Sequence, residues 1–135
     1  MDVLTKRERS ERMSKVRSKG NRSTEWRFRS ALMRSRIRGW SLHDTTLIGS
    51  PDFVFRDSNL VVFIDGCFWH GCRKCKRPLP KSNRDYWTKK INSNVQRARK
   101  ITRELKRQNF VVARIWEHEL RSRARLDQVI ERLFG

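Results

Sequence analysis

The sequence predicts an α/β domain built as a mixed central sheet flanked by helices. Three observations carry that prediction: two short apolar runs split by a turn, a long amphipathic helix, and another apolar run directly behind it. At 135 residues the chain has room for one compact core but not for two ordinary domains. It divides into a basic N-terminal arm, residues 1–22, and a single domain, residues 23–135.

The arm is dense in Lys and Arg and poor in apolar side chains, the composition expected of a segment that orders only on its ligand. From Thr24 to Arg38, Phe28, Ala31, Leu32 and Ser35 recur at helical spacing, with Ser23 or Thr24 as N-cap and Gly39 as the expected stop. Asp52–Phe55 and Leu60–Ile64, separated by Arg56-Asp57-Ser58-Asn59, predict an antiparallel hairpin, with Leu42–Thr46 as an edge strand before it. The unbroken apolar character of Leu60–Ile64 predicts burial on both faces. Gly66–Cys75, followed by Pro78 and Pro80, predicts a structured loop.

Ser82–Gln108 is the clearest helix. Ser82 and Asp85 match a capping box, and Trp87, Ile91, Val95, Ala98, Ile101 and Leu105 form one apolar stripe. Its other faces are basic, with Lys89, Lys90 and Arg97 among the residues placed to meet phosphates. Phe110–Trp116 reads as a strand buried beside the hairpin, reached by a right-handed crossover. Leu126, Val129, Ile130 and Leu133 predict a last short helix, and Trp26, Trp40 and Trp116 are assigned to the core.

Charge narrows the partner. Lys and Arg number 33 against 14 Asp and Glu, a formal charge of +19, and self-repulsion on that scale points to a polyanion. Duplex DNA carries one negative charge per roughly 1.7 Å of axis, so double-stranded nucleic acid is the expected ligand. A membrane surface fits less well, because the cations run the length of the chain instead of lining one amphipathic helix. The polar start of the chain and the lack of a long apolar run predict an intracellular, cytoplasmic protein, expected to act as a monomer. In that reducing setting three cysteines suggest metal binding or burial over disulfides.

Two clusters carry chemistry. In the predicted hairpin Asp52 falls opposite Phe63, and Asp65 shares Phe63's face, so both carboxylates are expected to approach one hard cation such as Mg2+. Either aspartate alone is more readily read as structural, Asp52 as a turn or strand-start residue after Pro51 and Asp65 as a turn residue before Gly66. Cys72-x-x-Cys75 has zinc-knuckle spacing, with Cys67 within reach of the same loop. The fourth ligand should be His70, His43 or His118, of which only His118 follows a predicted core strand. A closed four-ligand site makes Zn2+ structural; the plainer reading of Cys67 is a small buried hydrophobe. Phe68, Trp69 and Trp87 stand beside this loop in a basic setting, either as wedges between base steps or as core filling beneath the loop.

With those residues in view, the chain resembles the very-short-patch repair endonuclease family over roughly residues 10–120. The resemblance rests on Pro51-Asp52-Phe53-Val54, Val62-Phe63-Ile64-Asp65-Gly66-Cys67-Phe68-Trp69-His70, Tyr86-Trp87-Thr88-Lys89-Lys90-Ile91 and Ile115-Trp116-Glu117. It implies a restriction-endonuclease-like (PD-(D/E)xK) core and an Mg2+-dependent nick beside the thymine of a T:G mismatch, with aromatic intercalation at the mispair. It further implies that Asp52 and the Ile64 carbonyl bind the catalytic metal, that His70 activates water, and that Glu25 is a supporting acid. By the same resemblance Cys67, Cys72, Cys75 and His118 fall at or near zinc positions, Phe68, Trp69 and Trp87 intercalate, and Met13 reaches the minor groove from the arm. One departure stands out: Asp65 occupies a place where family members carry a second histidine. Two further functions fit parts of the pattern, a DNA nuclease of restriction, defence or mobile-element type that needs no T:G pair, and a non-catalytic zinc-bearing DNA-binding protein.

Overall fold

In the computed structural model, which describes residues 23–75 and 78–135, residues 23–34 are helical (α1). The basic arm, Met13 included, lies outside the described residues. Four strands follow, β1 (Trp40–Leu42), β2 (Phe53–Phe55), β3 (Leu60–Asp65) and β4 (Val111–Trp116), together with helices α2 (Arg84–Arg107) and α3 (Arg123–Phe134). The sheet runs β1-β2-β3-β4. β1, β2 and β3 are antiparallel neighbours, while β4 returns through α2 to lie parallel to β3.

The hairpin turns where predicted. Arg56–Ser58 form one 3-10 turn, and Asn59 closes it in the left-handed region (φ 53°), a conformation asparagine tolerates. All six residues of β3 are buried, as its apolar run requires. One face of the sheet packs Phe53, Phe55, Leu60, Val62 and Ile64 against Phe28, Ala31 and Leu32 of α1 and Leu126, Val129 and Ile130 of α3. The other packs Val54, Val61 and Phe63 against Leu105 and Ile101 of α2. The molecule is thus a mixed sheet between helical layers.

Several boundaries differ from the sequence expectation. α1 stops short of Gly39: Arg36 takes the left-handed conformation (φ 58°), with Ile37 N–H on the Leu32 carbonyl and Arg36 N–H on that of Met33. This is a Schellman ending, sealed by Ile37 packing into the core beside Leu32. β1 covers Trp40–Leu42 in place of Leu42–Thr46, because His43 turns out of the strand (φ 49°) and the Asp44 side chain accepts the Thr46 amide at 3.0 Å. The long helix starts at Arg84 without the Ser82 capping box; its N-cap is Asn83, which makes no side-chain cap bond. β4 is an edge strand, and Val111 is exposed. Trp26 is exposed as well, with the Arg29 guanidinium 5.4 Å from its ring. Trp40 does pack on the core, whereas Trp116 is half-buried and outside both clusters. No helix among the described residues is long and apolar enough to cross a membrane.

Candidate active site

The strand register brings distant cysteines and a histidine together. Because β3 and β4 run parallel with Asp65 beside Trp116, Cys67 and His118, each two residues further on, leave the sheet side by side. His118 Nδ1 lies 3.3 Å from Cys67 Sγ, 3.6 Å from Cys72 Sγ and 3.5 Å from Cys75 Sγ, and all four ligand atoms lie within 4.8 Å of one another. A tetrahedral zinc with ordinary Zn–S and Zn–N bonds would set each sulfur about 3.6 Å from that nitrogen. The Cys3His set therefore fits a zinc site, with His118 and not His70 as its histidine.

Cys67, Cys72 and His118 are buried. Burial pushes the Cys67 thiol up to about 12. At Cys72 burial pulls upward too, but hydrogen bonds from the Cys75 and Lys74 backbone amides and from the Cys75 and Cys67 side chains oppose it, and the thiol is lowered. A cation in this position replaces protons that the dry thiols otherwise keep.

The loop closed by these ligands carries the aromatics. Phe68, Trp69 and Trp87 form a mutual edge-on cluster, with centroids 5.4 to 5.7 Å apart, and Tyr86 joins it at 5.1 Å from Trp87. Phe68, Trp69 and Trp87 are half-buried, Tyr86 is exposed, and none of them belongs to either core cluster. Asn94, buried within α2, donates its amide to the Trp69 carbonyl at 3.1 Å and ties the loop to the helix. Sequence reasoning missed Asn94, because a polar residue beside an apolar stripe looks like surface. Lys89 and Arg97 are exposed on α2, and Lys90 is half-buried.

Asp52 sits just before β2, where its carboxylate accepts the Ile64 amide at 2.7 Å. Its Oδ atoms gather with Glu25 of α1 and His43 after β1, all ligand atoms within 4.8 Å, and His43 Nε2 lies 3.0 Å from Glu25. Burial pushes the Asp52 carboxyl up to about 7; the Ile64 amide opposes this, and the Glu25 charge adds to it. Two carboxyl groups forced together in partial burial favour either a shared proton or a cation between them.

Asp65 is not part of this cluster, contrary to the expectation that it would converge with Asp52. It faces α2, where Arg114 Nη1 donates to it at 2.9 Å and His70 Nε2 stands 3.7 Å away. Burial raises its pKa, opposed by the His70 and Arg114 charges. Arg114 is itself fixed by Thr102 Oγ1 (2.7 Å), the Ala98 carbonyl (3.1 Å) and the Phe63 ring (4.2 Å). The strand period places Asp65 beside Phe63 as predicted. The hairpin arithmetic had no view of the partner waiting on β4.

One end of the sheet therefore carries a Cys3His cluster, an aromatic cluster, a two-carboxylate and imidazole cluster, and an Asp65–His70 pair. The family model described as DNA mismatch endonuclease Vsr matches residues 1–77. The chain is 37% identical over 132 residues to the type II nicking enzyme V.NmeAIP of Neisseria meningitidis, covering 98% of this chain and 93% of that one. It is 41% identical over 121 residues to the type II nicking enzyme V.XorIIP of Xanthomonas oryzae, with 88% and 86% covered. It is 32% identical over 134 residues to the DNA mismatch endonuclease Vsr of Escherichia coli K12, with 98% and 85% covered.

Proposed function

The chain belongs to the Vsr family and is a DNA endonuclease; on that premise we propose that it nicks one strand of duplex DNA at a T:G mismatch, using Mg2+ at Asp52 and aromatic intercalation at the mispair. The observation that carries this reading is the gathering of Asp52 and Glu25 at the same sheet end as the Phe68, Trp69 and Trp87 cluster. A helix-flanked mixed sheet with its acidic cluster at the head of β2 is consistent with a restriction-endonuclease-like core.

The donor set fits a hard cation: two carboxylates, with the Ile64 backbone immediately beside them. When bound, such a cation stabilises charge on the scissile phosphate and supplies an activated water. Asp52 and Glu25 would hold it, with the Ile64 carbonyl as a further oxygen donor. His70 accepts the proton of the attacking water, and Asp65 fixes that imidazole's orientation and raises its basicity. Arg114 keeps Asp65 in place and occupies the oxygen that faces His70, which suits Asp65 to positioning better than to binding cation.

Zinc at Cys67, Cys72, Cys75 and His118 is structural and holds the aromatic loop in shape. Phe68, Trp69 and Trp87 enter between base steps where pairing is already poor and unstacking costs least. Lys89, Lys90 and Arg97 take phosphates along α2, and Met13 reaches the minor groove as the arm closes on the duplex. The protein works as a monomer inside the cell.

Cleavage of one labelled duplex containing T:G, T:A or C:G at a single position tests this. Magnesium-dependent nicking of the T:G duplex alone is expected. Equal nicking of all three would favour the second reading, a nicking enzyme without a mismatch requirement, to which the names of the Neisseria and Xanthomonas relatives lend weight. Absence of any magnesium-dependent nick would overturn both.

A further inference from the structure

We propose that His43 is a third, nitrogen ligand of the cation held by Asp52 and Glu25, and that it shifts this site's preference from magnesium toward first-row transition ions. The inference rests on the cation site proposed above and assigns it a residue that the sequence pattern did not.

His43 is placed by the sheet. β1 ends at Leu42, opposite Phe53, and the next step of the antiparallel ladder sets His43 across from Asp52. The His43 amide donates to the Asp52 carbonyl at 3.3 Å. That bond keeps the two residues adjacent just beyond the ends of their strands. His43 then adopts φ 49°, which L side chains rarely take, and its Nε2 lies 3.0 Å from Glu25 Oε2. A backbone turned out of the strand at this residue, with the ring beside two carboxylates, follows the pattern of local strain retained at functional sites.

The ring contributes little to packing, since the His43 side chain is 53% exposed while Glu25 is 13% exposed. Neither core cluster includes it. Two carboxylate oxygens, the Ile64 carbonyl and one nitrogen on one side, with solvent on the other, form an incomplete donor set that leaves positions for water and phosphate. Magnesium takes oxygen ligands almost exclusively, whereas imidazole adds affinity along the transition series. A neutral nitrogen in place of a third carboxylate also leaves the site less negative.

The test uses the full-length, zinc-loaded protein with Mn2+ as the probe. Free Mn2+ is measured by electron paramagnetic resonance, and a directly bound imidazole is detected as nitrogen-14 modulation of the spin echo. The variant of choice is His43→Asn, because asparagine tolerates the left-handed backbone and so removes the ring without disturbing the turn. The wild type is expected to bind one Mn2+ with nitrogen modulation. His43→Asn should lose that modulation and bind Mn2+ about tenfold or more weakly, while its affinity for Mg2+, read by competition, changes much less. His70→Gln should keep the modulation. Unchanged modulation and affinity in His43→Asn would overturn the role of His43 and leave the Asp52 site standing. Mn2+ binding that survives Asp52→Ala would instead overturn the site itself.

Discussion

Replacing Asp52 removes one of two carboxylates that the fold presses together, so the substitution has two separable consequences. The first is chemical: Asp52→Ala should abolish magnesium-dependent nicking while leaving duplex affinity within about threefold, since phosphate contacts supply most of the binding. A gel-shift titration beside a nicking assay checks it, and retained nicking would refute the metal role. The second is a pH dependence. In cation-free protein the Asp52 carboxyl, raised to about 7 from 3.8, holds its proton over a range where the unfolded chain has lost it. The folded state then binds more protons, so this group's contribution to stability falls as pH rises from 3.8 to about 7 and levels off above that. Asp52→Asn should therefore melt close to wild type at the acid end of this window and roughly 10 °C above it at the alkaline end. Because Glu25 and His43 face the same carboxyl, the difference between the two curves reports Asp52 together with its coupling to Glu25. Added Mg2+ should close the gap. A constant offset at all pH values would defeat the argument. Arg114 yields a third test: Arg114→Met strands a buried carboxylate and should cost about 3 kcal/mol, most of which Asp65→Asn restores in the double variant. Additive losses in denaturant melts would show the two residues to be uncoupled. Of these residues, Asp52 and Asp65 were legible in the sequence as acids at strand ends. Arg114 was not, because a cation within an apolar strand gives no sign of the acid it meets across the parallel ladder.

At the scale of elements, most of the fold follows from apolar spacing, and the discrepancies are concentrated at element ends. The hairpin, β3, α2 and α3 stand where their apolar patterns put them, since burying a stripe or a run admits few solutions. The end of α1, the extent of β1 and the start of α2 moved because each is decided by a non-glycine residue with positive φ, Arg36, His43 and Asn83. Such residues carry no reliable sequence mark. The zinc loop was legible for the opposite reason: thiol spacing is a chemical constraint, and a parallel strand return brings His118 to it. With only the Phe68 and Trp69 contacts to Trp87 and the Asn94 bond otherwise tying Gly66–Cys75 down, metal removal should loosen this element first. Chelation of zinc is expected to lower Tm by roughly 10 °C or more and to red-shift tryptophan emission as Trp69 and Trp87 separate. Unaltered emission and melting after verified zinc loss would refute a structural role. Asn94→Ala, which frees the Trp69 carbonyl, should cost about 1–2 kcal/mol and weaken mismatch binding more than binding to matched duplex.

Taken as a whole molecule, the chain gathers two of its 14 acids, Glu25 and Asp52, at one end of the sheet and carries 33 Lys and Arg along its length. That division separates affinity from selectivity. Phosphate neutralisation supplies affinity without regard to sequence, and it weakens steeply with salt, with a slope in log–log form of about 0.9 per phosphate contacted. On the proposed reading the aromatic cluster acts by stacking, which salt barely screens. Raising salt from 50 to 200 mM should therefore reduce binding to matched and mismatched duplexes in parallel, by roughly 10³ to 10⁵ if six to ten phosphates are held, while the ratio between them stays constant. Substituting Trp69 or Trp87 by Ala should do the reverse, lowering the ratio and leaving the salt slope in place. Fluorescence anisotropy with both duplexes across a salt series measures both quantities. If the ratio collapsed with salt, discrimination would have to reside in charged contacts, and the edge-on cluster of Phe68, Trp69 and Trp87 would lose its assigned part in recognising the mispair.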